Sequence, residues 1–154
     1  MDDTNLTAIR NFRRIDDRVA TGGQPTEAQL RDIADAGFAC VINLALTTST
    51  DALADEPGSV RALGLEHIHI PVDFEAPTAE DHARFAAAMR ERSGRAVFVH
   101  CAANYRVSVF FAIHRVTELG WRREDALAAV RDVWEPDAVW MAFFDARCGA
   151  APGA

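Results

Sequence analysis

The 154-residue chain contains no lysine, a single tyrosine (Tyr105) and only three cysteines. All 16 of its permanently positive side chains are therefore arginines, set against 23 acids, and the formal net charge is −7. That balance works against diffuse binding to nucleic acid or to an anionic membrane surface, but it leaves room for a local arginine pocket that grips a small anion. No apolar run approaches the roughly 18 residues that a membrane-spanning helix needs. Cys40, Cys101 and Cys148 form an odd set with no CxxC pair. This argues against a disulfide framework or a cysteine zinc site and fits reduced thiols. The opening MDDTNLTAIR has no charged-then-apolar leader, so a cytoplasmic protein is expected.

What is present is an ordinary globular composition, 49% apolar and 25% charged. The length is near the roughly 150 residues typical of one domain. One domain over residues 1–154 is expected, with its core at about 12–146 and a frayed GAAPGA tail. Short β-branched runs alternate with helical patterns, which predicts an α/β fold with a mostly parallel central sheet. Strands are expected at 18–21, 38–46, 67–72 and 96–99. Thr26 and Gln29 make a capping box that starts a helix ending near Gly37, and Thr78 caps another that ends near Gly94. Residues 47–58 read as a polar surface loop without chemistry, followed by a short helix at 59–64. The segment 106–119 is apolar almost all round and is expected to be the central buried helix. Helices at 124–134 and 137–146 carry aromatics at core spacing and should cover one sheet face.

The informative segment is AVFVHCAANYRVSVFFAIHR, residues 96–115. A buried strand ends in His100 and Cys101, a short loop follows, and Arg106 opens the buried helix. Backbone N–H groups at the helix start, the helix dipole and the Arg106 charge concentrate positive potential at the loop. A field of this kind favours a thiolate over a thiol and binds an oxyanion, so nucleophile and anion hole coincide. Cys40, inside FACVINL, is expected to be a buried inert thiol, and Cys148 an exposed spectator.

His100, Cys101, the loop and Arg106 resemble the signature of the cysteine-dependent protein tyrosine and dual-specificity phosphatase superfamily. The stretch ATGGQPTEAQLRDIADAGFACVINL is similar to the opening of a bacterial phosphatase-like family that begins with a GQP motif. Together the likeness runs from about Arg18 to Arg115. It implies a three-layer α/β/α phosphatase-like domain with a four- to five-stranded sheet, and hydrolysis of phosphoesters, phosphotyrosine among them, through a phosphocysteine. It also implies that Cys101 is the nucleophile and that Ala102, Ala103, Asn104, Tyr105 and Arg106 cradle the phosphate. His100 would set the orientation and electrostatics of Cys101. The usual superfamily loop has five residues between Cys and Arg, and this one has four, which removes about 3.3–3.6 Å of contour. The GQP family carries the shorter loop as well, but its loop glycine is Asn104 here and its hydroxyl residue after arginine is Val107. An ungapped alignment from Cys101 places Ser108 on the superfamily's hydroxyl position, as a supporting residue. Arg106 is taken as the arginine because no other loop residue can make the bidentate oxyanion contact.

Phosphoryl transfer through cysteine needs an acid for the leaving oxygen and then a base for water. Asp73 is the candidate, since it follows the strand HIHIPV and a parallel sheet delivers it to the same edge as Cys101. Glu75, Glu80 and Asp81 are the fallbacks. His67 and His69 share a strand face but have no third ligand at metal spacing, so no metal and no other cofactor is expected. Gln24 is placed to approach the pocket if the GQP turn folds over it. The expected partner is a phosphorylated small molecule or phosphopeptide, acted on by a monomer or weak homodimer. Two other readings stay open. One is a rhodanese-like sulfurtransferase carrying a persulfide on Cys101, which the four-residue spacing favours. The other is an anion-binding module without turnover.

Overall fold

A computed structural model describes residues 3–149. In chain order these form β1 (Arg13–Arg14), β2 (Val19–Gly22), α1 (Glu27–Asp35), β3 (Cys40–Asn43), α2 (Glu56–Ala62), β4 (Glu66–His69), α3 (Ala79–Glu91), β5 (Val97–His100), α4 (Tyr105–Thr117), α5 (Arg123–Arg131) and α6 (Ala138–Cys148). The five strands lie in the order β1-β2-β5-β3-β4, and only the edge strand β1 runs antiparallel to its neighbour. The register aligns Gly22, His100, Asn43 and His69 in one row at the C-terminal edge of the parallel strands. In open parallel sheets this is the edge where ligands bind.

Side chains alternate across the sheet as the pleat requires. Ala20, Val41 and Phe98 face a core made with Leu30 and Ile33 of α1 and Val60 of α2. Val19, Cys40, Ile42, Val97 and Val99 face the other core, filled by α3, α4, α5 and α6. The architecture is therefore the expected α/β/α sandwich of three layers. α4 is buried nearly all round, with Val107, Val109, Phe110, Phe111, Ala112 and Ile113 in the interior, which explains its weak amphipathic pattern.

The start signals act as read. Thr26 Oγ1 accepts from Gln29 N at 3.1 Å while Gln29 Oε1 accepts from Thr26 N at 3.0 Å, and Thr78 Oγ1 accepts from Asp81 N. Boundaries differ in several places. The run 38–46 is a strand only at Cys40–Asn43, although Phe38, Leu44 and Ala45 are also buried. The 67–72 strand becomes Glu66–His69, and Ile70 N and Val72 N continue the pairing onto Asn43 O and Leu44 O. The two-residue β1 is too short to have shown a pattern. The core begins earlier than residue 12, because Leu6 and Ile9 are buried beneath β2 and β5. Residues 47–58 are not all surface loop: α2 starts at Glu56, whose side chain is buried. Most of the GAAPGA tail, residues 150–154, lies outside the described residues. Among the described residues, no helix is long and apolar enough to cross a membrane.

Candidate active site

Cys101 follows the last residue of β5 at the C-terminal edge and has no exposed surface. The chain then turns through Ala102, Ala103 and Asn104 into α4. Asn104 makes that turn in the left-handed region, with φ of 70°, which asparagine tolerates better than most residues. Its Nδ2 donates to Asn11 O at 2.8 Å and to Thr21 Oγ1 at 3.1 Å, and Asn11 Nδ2 donates to Ala103 O at 2.9 Å. The GQP turn closes the other side, where Gln24 N donates to Ala102 O at 3.0 Å. A Cβ on Gly23 would stand 2.6 Å from Ala102 O, so this close approach of backbone to backbone requires glycine. The loop is thus pinned from outside by residues of the N-terminal segment and β2.

Arg106, in the first turn of α4, is 5% exposed. Its Nη1 donates to Val72 O at 3.0 Å and its guanidinium lies 5.8 Å from the Phe74 ring centroid. Its Nε is buried without a hydrogen-bond partner. A buried, unpaired charged donor is costly, and an oxyanion is the group that would satisfy it. Val107, by contrast, is packed in the apolar core. Asp73 sits between the two residues that touch Arg106. It is exposed, and its Oδ1 accepts from Glu75 N at 2.9 Å. Trp140 Nε1 donates to Phe74 O at 2.8 Å, so α6 anchors the segment that carries Asp73. Glu75 follows on that segment, whereas Glu80 and Asp81 belong to the first turn of α3, Glu80 being paired with Arg84.

Tyr105 stacks on Trp134, with centroids 4.4 Å apart and planes 3° from parallel. Ser108 donates to Tyr105 O at 2.7 Å and accepts from Trp134 Nε1 at 3.0 Å, so its single proton is committed within α4. It lines a cavity of about 150 Å³ with Thr21, Asn104 and Arg115, on the side of the loop facing β1 and α5.

Sequence reasoning missed Glu56. This carboxylate is 4% exposed and takes hydrogen bonds from His100 Nε2 at 2.8 Å, His67 Nε2 at 2.9 Å and Gln24 Nε2 at 2.9 Å. Burial alone would raise its pKa, but the hydrogen bonds from His100, His67 and Gln24 and the His100 charge outweigh burial and hold it well below the ordinary carboxylate range. The other ring nitrogen of His100, Nδ1, lies 3.1 Å from Cys101 O. His69 Nε2 is bonded to Ala45 O, and among the described residues no group of three His, Cys, Asp or Glu side chains could hold a metal. One sequence signal for Glu56 was present: an acid directly before a proline, Glu56-Pro57, marks a helix first turn.

A family model described as "DSP-PTPase phosphatase fused to NAD+ Kinase" matches residues 6–133, a span that contains Glu56, Asp73, Cys101 and Arg106. The chain belongs to this DSP-PTPase family. A DUF442 protein of Shewanella putrefaciens CN-32, crystallised as a candidate phosphatase, is 32% identical over 94% of this chain and 93% of its own, with a TM-score of 0.81. Two more distant structures share the DSP-PTPase fold. Tk-PTP in its active form is 24% identical over 92% of this chain and 98% of its own, with a TM-score of 0.76. The core catalytic domain of the PP-IP phosphatase SIW14 from S. cerevisiae is 10% identical over 90% and 86%, also at 0.76. No curated protein matches the sequence.

Proposed function

We propose that this DSP-PTPase family member hydrolyses phosphoric monoesters through a phosphocysteine on Cys101. The observation that carries the reading is Arg106, a buried guanidinium anchored to Val72 O through Nη1 and holding an unpaired Nε in the helix turn that follows the Cys101 loop. In the first step the Cys101 thiolate forms an S–P bond as the P–O bond to the leaving group breaks. Asp73 gives its proton to the departing oxygen. In the second step Asp73, now a carboxylate, takes a proton from water as that water attacks phosphorus and the S–P bond breaks. Inorganic phosphate leaves and the thiolate is restored. Arg106 and the start of α4 oppose the charge on the equatorial oxygens throughout.

The substrate is a phosphorylated small molecule or phosphopeptide, with aryl esters such as phosphotyrosine among the accepted class. Cys101 is covered in this structure. The test is hydrolysis of a small aryl phosphate at mildly acidic pH by wild type and by Cys101→Ser. Turnover that vanishes in the variant and shows a bell-shaped pH profile is expected. Release of sulfur from thiosulfate with no aryl phosphate turnover would overturn the reading in favour of sulfur transfer.

A further inference from the structure

Both ring nitrogens of His100 face acceptors. Nε2 meets the Glu56 carboxylate at 2.8 Å and Nδ1 meets the Cys101 carbonyl oxygen at 3.1 Å. A neutral imidazole has one donor and one acceptor nitrogen, so it would set a lone pair against one of these oxygens. Only the doubly protonated ring donates to both. His100 is completely buried, and a charged ring there needs a counterion, which among the described residues Glu56 alone supplies at contact distance.

We infer that Glu56 is a positioning residue for the nucleophile: its carboxylate keeps His100 protonated on both nitrogens and ties three separate segments to the Cys101 loop. The inference rests on the reading of Cys101 as the nucleophile. The three segments are β5 through His100, β4 through His67, and the GQP turn through Gln24, whose own N–H holds Ala102 O. The imidazolium meets the Cys101 carbonyl through Nδ1 and its counterion through Nε2, across the ring, so the pair turns its positive end toward Cys101. That end adds to the field of Arg106 and α4, which favours the thiolate.

The other charged or titratable groups around the node are already engaged. Asp55 accepts from Gly58 N as the cap of α2, His69 is bonded to Ala45 O, and Glu27 of α1 accepts from Ser59 Oγ. On the far side of β5 stand Cys101 and Arg106. A cavity of about 420 Å³ lined by Gln24, Asn43, Glu56, His67 and His69 lies against the node.

The experiment is the nitrogen-15 spectrum of the imidazoles at pH 7.5, with pH profiles of kcat/KM on an aryl phosphate for wild type, Glu56→Gln, Glu56→Asp and His67→Asn. In wild type, both His100 nitrogens are expected to carry hydrogens. In Glu56→Gln the ring becomes neutral, kcat falls about tenfold or more with KM little changed, and the acidic limb of the profile moves to higher pH. Glu56→Asp restores part of each. A neutral His100 tautomer in wild type overturns the inference outright, whatever the variants do. So does a folded Glu56→Gln with an unchanged His100 spectrum and profile. If Glu56→Gln does not fold, His67→Asn decides: it keeps the Glu56–His100 pair and should leave His100 charged. Loss of turnover in Cys101→Ser tests the phosphatase reading separately, and the spectrum does not depend on it.

Discussion

Cys40 and Cys101 are both wholly buried and lie at opposite ends of adjacent strands, β3 and β5. Cys40 starts its strand on the N-terminal edge, just after α1 has ended, where the negative end of a helix dipole points. Burial pushes its thiol up to about 11, the Glu66 carboxylate adds to the shift, and Arg92 opposes it. Cys101 stands at the C-terminal edge, where β5 hands over to α4 and where Arg106, His100 and the GQP turn converge. The same residue type with the same burial meets different surroundings because a parallel sheet gathers helix starts at one edge and helix ends at the other. On the proposed reading, the edge, more than burial, separates the structural thiol from the nucleophile.

The largest expected effect tests that contrast directly. Cys101→Ser should lower aryl phosphate turnover by at least about a thousandfold, the usual scale for loss of a covalent nucleophile, while its melting temperature stays near wild type. Cys40→Ser should keep turnover within about twofold and lose roughly 1–3 kcal/mol of stability for an ill-matched buried hydroxyl. Equal activity losses in the two variants would break the comparison. Next comes Arg106→Lys, which keeps the charge and removes the planar fork. A loss of about a hundredfold in kcat/KM is expected, and a variant within threefold of wild type would mean that no bidentate contact is made.

Asp73→Asn should cost about 10²-fold on an alkyl phosphate, less on an aryl phosphate with a good leaving group, and should remove one limb of the bell. The carboxylate is exposed and held only by Glu75 N, so the substitution leaves stability nearly unchanged. If Glu75→Gln produces that pattern and Asp73→Asn does not, the acid is the neighbouring residue on the same segment.

How much of this was legible in the sequence follows the same division. The three-layer fold and the parallel sheet showed because strand and helix periods differ and the caps at Thr26 and Thr78 are local. Cys101 and Arg106 could be proposed from sequence because the loop places them within one contiguous stretch. Glu56 did not, since it lies in a polar segment read as a surface loop and its partners are 44, 32 and 11 residues away. Burial of a charged side chain is set by such long-range donors, which no local pattern displays. The role of His67 was hidden for the same reason: alternation places it with His69 on the face away from Ile68 and Ile70, and there it is buried against Glu56. Strand ends were overdrawn because Leu44, Ala45, Ile70 and Val72 stay buried past the regular ladder, where single backbone hydrogen bonds prolong the pairing.

The smallest effects separate the two edges by pH. Cys40 has a raised folded value against an ordinary one of 9.0, so its contribution to stability is complete below about 9 and is lost as pH rises toward about 11. Cys148, also raised to about 11 mainly by burial, adds a similar slope, so Cys40→Ala should remove about half of the cysteine share of the alkaline loss. Glu56 has a lowered value, so its contribution is complete above about 4.5 and is lost only as pH falls well below that. Between these lies the cost of charging His82 and His114, whose values burial lowers from 6.5. The unfolded chain takes those protons first, and stability should begin to decline below about pH 6.5. Each group contributes at most about 1.4 kcal/mol per pH unit. Melting curves from about pH 2 to 11 on wild type, Cys40→Ala and Glu56→Gln resolve the three windows. Cys40→Ala should flatten only the alkaline side and Glu56→Gln should flatten the steep acidic end, and an alkaline slope untouched by Cys40→Ala would mean that the N-terminal edge does not hold its thiol neutral.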